Sequence, residues 1–575
     1  MVPGRIDYPQ DVPLEHPGAI DYLPQYLHNS FPDPTGQPDP KIRDDFFGTR
    51  RKLRIGILGA GICCINFLHY AEEQLKDVEI VVYAPAAENL EYIRTVTAEN
   101  GLYRYMRFQH EILQASWTDD EAMWTLSVKD LKSGASFEDK VDLFLELNGP
   151  VSSPRLMSIR GIENFKGEIV HPAYWNDDIS VDGKRVALIG YGCSGVQIGP
   201  NIVDKVSKLY TWFRSKTYIL PPPNQSFSAP GGANFKYSDE QKSLLADPDV
   251  YLAYRKAVDD GFYRSILLAI TAEAPLLTII PTISMKEKLA SKPEILESIL
   301  PEDFDIGCRR QTFAYGYMEA LTNIKTTVFT SEPQGFTAHC LVDADGKEHE
   351  IDLVIAATGY DQSHMPRYPK IVNGRSMNEE WADLRSPPSY MAVMLKSMPN
   401  YFNPSSAFGP LPQGNFYQSC EAFTKYIVKA IDKMQVDRIL SIKPKDKAVD
   451  HFVRHSLAYL KRTAVMGPCV AWYKGNASDK PPALWPGARN QFIRILENPR
   501  FEDLDIVYED PEDMFAFFGN GWTLQDDADP DADKTWYMGR PNKQIDSEVI
   551  DRLKGTDPSV REVVQGVQTM GPEPQ

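Results

Sequence analysis

Short apolar runs recur along the chain, and several of them end in a glycine turn. Leu53-Arg-Ile-Gly-Ile-Leu58 runs into Gly59-Ala-Gly61-Ile-Cys-Cys64, and apolar positions then follow at Phe67, Leu68 and Tyr70. Val186-Ala-Leu-Ile runs into Gly190-Tyr-Gly192-Cys-Ser-Gly195. Both stretches read as strand, tight turn and helix start. Val78 to Tyr83 and Leu209 to Phe213 are apolar strands placed where a βαβ unit returns. Further strands are expected at Arg107 to Trp117, Met123 to Val128, Val141 to Asn148, Ile324 to Phe329 and Glu350 to Thr358. Helices are expected from Glu91 to about Asn100, Ala422 to Met434 and Val449 to Lys461. The pattern predicts an α/β fold with two Rossmann-like dinucleotide-binding domains, a helical insertion and an extended C-terminal region.

Length agrees with more than one core: 575 residues exceed what a single hydrophobic core supports. Apolar content of 42% and charged content of 24% predict a soluble globular protein. The net charge of −18 excludes a general nucleic-acid partner, because phosphate binding is driven by Lys and Arg. The most apolar window, Ser265 to Ile283, contains Glu273, Pro275 and Pro281, so a buried helical segment is expected there and not a membrane span. The N-terminus is polar and proline-rich, without a signal-peptide layout. Seven cysteines at irregular spacing, with no C-x-x-C, predict neither a disulfide framework nor a zinc site. A reducing, intracellular (cytoplasmic) location is the expectation.

The candidate chemistry lies at the turns. At Gly59 and Gly61 a helix N-terminus is available to a pyrophosphate, although Cys64 stands at the third glycine position. An ordinary βα turn is the alternative. An acidic residue that would accept hydrogen bonds from an adenosine ribose is expected after Tyr83, and the residue there is Ala84. The second turn has all its glycines. Its return strand ends in Arg214, with Lys216 two residues on, and a cation there favours a 2′-phosphate, hence NADP over NAD. A solvated basic strand end is the other reading. Arg309 and Arg310 stand side by side among apolar and aromatic residues, either as a functional pair or as a solvated one.

One further stretch carries a resemblance. Phe165, Gly167, His171 and Trp175 match F-x-G-x-x-x-H-x-x-x-W, the fingerprint of Baeyer–Villiger monooxygenases, with Asn176 where that pattern has Pro or Asp. Gly307-Cys-Arg309-Arg310 resembles the family's Gly-Cys-Lys-Arg, and Thr358-Gly-Tyr resembles a linker strand of flavin monooxygenases. Pro468-Cys-Val-Ala-Trp-Tyr-Lys474 and Leu484-Trp-Pro-Gly487 resemble a fungal branch acting on polyketide and terpenoid intermediates. The likeness covers most of residues 50–520.

The resemblance implies FAD at Gly59, Gly61 and the backbone of Ile112. It implies NADPH at Gly190, Tyr191, Gly192, Cys193, Ser194, Gly195, Val196, Gln197, Phe213, Arg214 and Arg309. It makes Arg310 the catalytic residue and gives His171 a coupling role between domains in preference to proton transfer. NADPH would reduce FAD, O2 would react with the reduced flavin, and one oxygen atom would enter beside a ketone carbonyl to give an ester or lactone. The implied partners are a small ketone and O2, with no metal, no nucleic acid and no membrane span. The implied domains are an arm at 1–50, the first part of the FAD domain at 51–178 and an NADP domain at 179–345 with its helical insertion at 224–300. The FAD domain returns with a helical part at 346–524, and an acidic tail occupies 525–575.

The chain departs from the family after Tyr83. The acidic residue, a Gly-Gly-Thr-Trp segment, an Asn-Arg-Tyr-Pro-Gly segment and an Asp-containing turn are missing, and family-like text resumes at Ala84-Pro-Ala-Ala. So clean a join suits a lost exon or a mis-joined gene. Two other functions stay open: a flavin hydroxylase, and an FAD-free protein that binds NADP without catalysis.

Overall fold

The computed structural model describes residues 42–523 except 85–90, 150, 177, 214, 221–224, 231–232, 234, 271–273, 385, 405, 411–415, 477 and 479, together with residues 535–538. The chain divides into two compact units, Arg50–Phe517 and Met1–Thr49 with Phe518–Gln575. In the second of these, Phe47 bridges in parallel to Thr523. The arm before residue 42 and most of the acidic tail lie outside the described residues.

The larger unit holds a mixed seven-stranded sheet with a parallel centre and an all-parallel five-stranded sheet. In the first, Leu53–Leu58 lies centrally between Val78–Ala84 and Leu143–Glu146, parallel to both, with Leu58 opposite Tyr83 on one side and Glu146 on the other. A strand enclosed on both faces has no use for alternation, which is why all three read as continuous apolar runs. One face packs on the helices Ile62–Gln74 and Phe416–Val436. On the other, Tyr83 and Phe144 meet Trp117, Trp124 and Tyr401 in an aromatic core. This core is backed by an antiparallel sheet built on His110–Thr118, Met123–Asp130 and Ser136–Val141. The last of these strands escapes an apolar-run reading because its residues are exposed or half-exposed as far as Val141.

The second sheet has five parallel strands in the order Thr326–Phe329, Lys208–Trp212, Arg185–Ile189, Leu353–Ala356 and Glu168–Val170. The helix Cys193–Ile202 follows its central strand. The insertion contributes helices Asp239–Leu245, Pro248–Ile270, Ala274–Lys288 and Pro293–Ile299.

Two expectations need correction. The described residues of the apolar window are helical, but the helix Ala274–Lys288 is not enclosed: Leu276, Ile279, Ile280 and Ile283 share one face and are 51–70% exposed. Burial falls on a different stripe, Ala274, Pro281 and Met285. Among the described residues no helix is long and apolar enough to cross a membrane. The cysteines also pair, as Cys63–Cys420 and Cys308–Cys469. Their separations of 357 and 161 residues make them invisible to spacing rules. Topology decides the first, by laying Ile62–Gln74 against Phe416–Val436.

Beside the first turn lies a buried ion pair, Lys370 Nζ to Glu146 Oε2 at 2.7 Å, with the two side chains 2% and 8% exposed. Tyr401 and Tyr368 donate hydroxyl hydrogen bonds to the same carboxylate. Burial is the largest influence on Glu146 and acts to raise its pKa. The Lys370 charge and the hydrogen bonds overcome it, leaving the carboxyl below its ordinary value. A group depressed on folding stabilises fully above its unfolded pKa, and that contribution is lost as pH falls through the folded value. Acid therefore destabilises the wild type through this pair. Glu146→Gln strands a buried ammonium and is expected to cost about 3 kcal/mol, whereas Glu146→Leu with Lys370→Met costs less than either single change. Denaturant unfolding of the three variants at neutral pH, and of the wild type toward pH 4, checks both statements.

Candidate functional site

The second glycine turn is shaped by contacts that exclude side chains at two of its three glycines. Gly190 has φ +103°, and a Cβ there would sit 2.2 Å from the Ala357 carbonyl oxygen. A Cβ on Gly195 would sit 1.9 Å from the Gly190 oxygen, so the helix can start this close to the strand only with glycine. Gly192 differs: its φ is −72°, and a Cβ would meet nothing within 4 Å. Space is open at the N-terminus of Cys193–Ile202, where the first N–H groups and the helix dipole favour an anion. Cys193 and Gln197 are exposed there, Ser194 is half-buried, and Val196 anchors the helix in the core.

Tyr191 is buried within the turn, edge-on to Phe213 at 5.1 Å between ring centres. Its hydroxyl donates to the Ser215 carbonyl and accepts from the Ser215 N–H at 2.9 Å. It thus ties the turn to the end of the return strand. Arg214 lies outside the described residues. Lys216 forms an ion pair with Glu302 at 3.4 Å.

The arginine pair comes to this turn from over a hundred residues away. Arg309 Nη1 donates to the Lys216 carbonyl at 2.9 Å and to Ser215 Oγ at 3.2 Å, and its guanidinium lies 5.7 Å from the Tyr191 ring centre. Arg310 is exposed, with Nη1 3.8 Å from Cys193 Sγ. The open space before Gly192 is thus bordered by helix N–H groups and by Arg310.

The first turn repeats the geometry. Gly59 also has φ +103°, and its Cβ would lie 2.7 Å from Asn148 Cα; Gly61 faces open space. Cys64 fills the third glycine position and is fully buried, and burial pushes its thiol well above the ordinary range. Ile112 turns its side chain into the core shared with Leu58 and Tyr83, and its backbone pairs with Val128 beside a break in strand register. Ala84 ends the second strand with no polar side chain to offer a ribose.

The fingerprint residues hold the second sheet. Phe165 packs on Phe336, and a Cβ on Gly167 would collide with the Phe165 ring at 2.5 Å. His171 is buried. Its Nδ1 accepts the Ala173 N–H at 3.1 Å, so Nε2 carries the proton and donates to the Gly359 carbonyl at 3.0 Å. Both ring nitrogens are engaged with backbone, which leaves the imidazole a bracing role. Trp175 is 38% exposed.

Sequence reasoning did not single out Ser215, the hydroxyl link of Tyr191 or the Glu146–Lys370 pair, and it read Tyr473 and Lys474 only as part of a family-like stretch, not as lying beneath the arginine pair. A strand-end Glu146 opposite Leu58, one residue before the first turn, was the available signal for the ion pair.

Both turns fit a pyrophosphate, and among the described residues it is the second that has Arg309 and Arg310 brought to it. These features define an α/β protein with two dinucleotide-binding units. The family described as Flavin-binding monooxygenase-like matches residues 74–225. The chain is 30% identical over 469 residues to the FAD-binding monooxygenase tazF of Aspergillus terreus, spanning 79% of this chain and 81% of that protein. It is 26% identical over 388 residues to a Baeyer-Villiger monooxygenase of Pseudomonas aeruginosa, covering 66% and 69%. The chain belongs to the flavin-binding monooxygenase family. In fold it is similar to NADP+-bound cyclohexanone monooxygenase from Rhodococcus sp. Phi1, with TM-score 0.67, 20% identity, and 80% and 100% of the two chains covered. It is likewise similar to OTEMO in complex with FAD and NADP, with TM-score 0.68, 16% identity, and 79% and 99% covered.

The two kinds of glycine separate by experiment. Gly195→Ala forces backbone apart and is expected to lower the melting temperature by several degrees or prevent folding. Gly192→Ala meets no protein atom, so it keeps the wild-type melting temperature while weakening NADPH binding about tenfold or more, as measured by titration of nucleotide fluorescence.

Proposed function

We propose that this chain is an FAD- and NADPH-dependent monooxygenase that inserts one oxygen atom beside a ketone carbonyl, giving an ester or lactone. The observation that carries the reading is the convergence of Arg309 and Arg310 on the open second turn, downstream of the Phe165–Trp175 fingerprint. The helix N-terminus at Gly192 to Gly195 holds the NADPH pyrophosphate, Arg309 fixes the wall beside it, and Arg214 and Lys216 supply charge for the 2′-phosphate. Gly59, Gly61 and the backbone of Ile112 hold the FAD. When bound, the flavin supplies the redox chemistry and the reaction with O2. Arg310, exposed at the border of the open space beside Cys193, stabilises negative charge that develops during oxygen transfer. The ketone belongs to fungal polyketide or terpenoid secondary metabolism, a placement supported by the Pro468–Lys474 and Leu484–Gly487 stretches.

A second reading has its own observation. Ala84 offers no ribose acceptor, which favours a protein that binds NADP without FAD. Absorbance of the purified chain near 450 nm, with FAD and NADPH then added alongside a panel of cyclic and aryl ketones, divides the readings. Bound flavin with ester or lactone product is expected. Hydroxylated ketone alone would point to a flavin hydroxylase, and NADPH binding without flavin or NADPH oxidation would leave the FAD-free reading. Arg310→Ala is expected to reduce product formation at least a hundredfold with NADPH binding changed less than tenfold.

A further inference from the structure

The segment Gly307–Arg310 lies in neither a helix nor a strand, yet it carries both arginines of the second turn. Gly307 takes φ +93°, so the chain reverses there at a glycine. What fixes the next residue comes from the C-terminal part of the chain. Cys308, fully buried, forms a disulfide with Cys469. The Cys469 N–H points at Cys308 Sγ at 3.3 Å, and Tyr473 donates its hydroxyl to the Cys308 carbonyl. Lys474, 1% exposed, donates to the Gly467 carbonyl and stands 3.6 Å from Cys308 Sγ. A Cβ on Gly467 would reach Cys308 Sγ at 3.0 Å, so this loop closes over the sulfur without room to spare. The residue immediately after this anchored cysteine is Arg309, which binds Ser215 and Lys216.

We infer that Cys308 and Cys469 are positioning residues for the nucleotide turn: their cross-link, seated on Tyr473 and Lys474, sets the backbone from which Arg309 clasps the Tyr191–Ser215–Lys216 wall. The 468–474 loop thereby acts on NADPH affinity without lining the open space at Gly192. This rests on the reading of the second turn as the NADPH site. A backbone freed at residue 308 lets the guanidinium leave the wall, and the ordering that the cross-link supplied must then come from binding.

NADPH affinity of the full chain tests it, with no need for bound flavin. Denatured, unreduced protein should expose three thiols to maleimide (Cys64, Cys193 and Cys340) and seven after reduction. Cys469→Ser should weaken NADPH binding about tenfold, and Cys340→Ser should leave it unchanged. In an Arg309→Ala background, Cys469→Ser should add less than twofold, because the cross-link acts through that side chain. If Cys469→Ser fails to fold, the wild type held in a phosphine reductant takes its place and should show the same loss. Reactivity of Cys308 or Cys469 before reduction, unchanged affinity in Cys469→Ser despite a lower melting temperature, or a full additive loss in the Arg309→Ala background each overturns the inference. Absence of NADPH binding by the oxidised wild type would instead remove the nucleotide site itself, and with it anything the cross-link could control.

Discussion

The larger unit depends on how close a helix can start to the strand that precedes it. At Gly195 the distance is set by contact with the Gly190 carbonyl, and at Gly190 by contact with Ala357 on the neighbouring strand. There is no room for a β-carbon at either place; Gly190 takes a positive φ, Gly195 lies within the helix, and the first helical N–H groups face outward. Gly59 meets the same condition against Asn148, and reaches the same φ. Two sheets of different strand order thus make one kind of glycine turn twice. The shared constraint explains why the open glycines, Gly61 and Gly192, have ordinary φ values while the first glycine of each turn does not.

Much of this was legible in the sequence because the constraint is local. Leu53–Leu58, Val78–Ala84 and Arg185–Ile189 are central strands, and buried strands announce themselves as apolar runs. The glycines that follow are few and closely spaced. Legibility ends where contact is made over long separations. Ser136–Val141 belongs to a sheet face open to solvent, so its alternation looks like polar loop. The cysteine pairs join residues 161 and 357 positions apart, and spacing cannot report what topology brings together. For Ala274–Lys288 the composition was read correctly as helical, but apolar content alone does not say which stripe faces inward; Ala274, Pro281 and Met285 do the packing, and Leu276, Ile279, Ile280 and Ile283 face out.

The candidate site divides along the same line. Gly190, Gly192 and Gly195 could be read from a motif. That Arg309 meets Ser215 and the Lys216 carbonyl could not, since the motif gives residue types and the wall is made of backbone and a serine hydroxyl. His171 shows the converse: a conspicuous residue in a conspicuous motif, with both nitrogens taken up by backbone groups. Its importance is to hold Gly359 beside the strand Leu353–Ala356, and so to fix the linker between the two sheets.

The two turns are alike in backbone and unlike in surroundings, and the difference bears on which nucleotide each can hold without help. The second has open space at Gly192, a hydroxyl-locked wall and two arginines. The first has open space at Gly61 and, one residue before the Leu147–Asn148 step that shapes it, a carboxylate already committed to Lys370, Tyr368 and Tyr401. Glu146 therefore cannot substitute for the acidic acceptor missing at Ala84, because freeing it would strand a buried ammonium. The strand Val78–Ala84 pairs in parallel with Met106–Phe108 beyond the helix Glu91–Glu99. The backbone geometry of the first turn is therefore intact, with Gly59 against Asn148 and Gly61 open, while the carboxylate nearest to it is held in an ion pair.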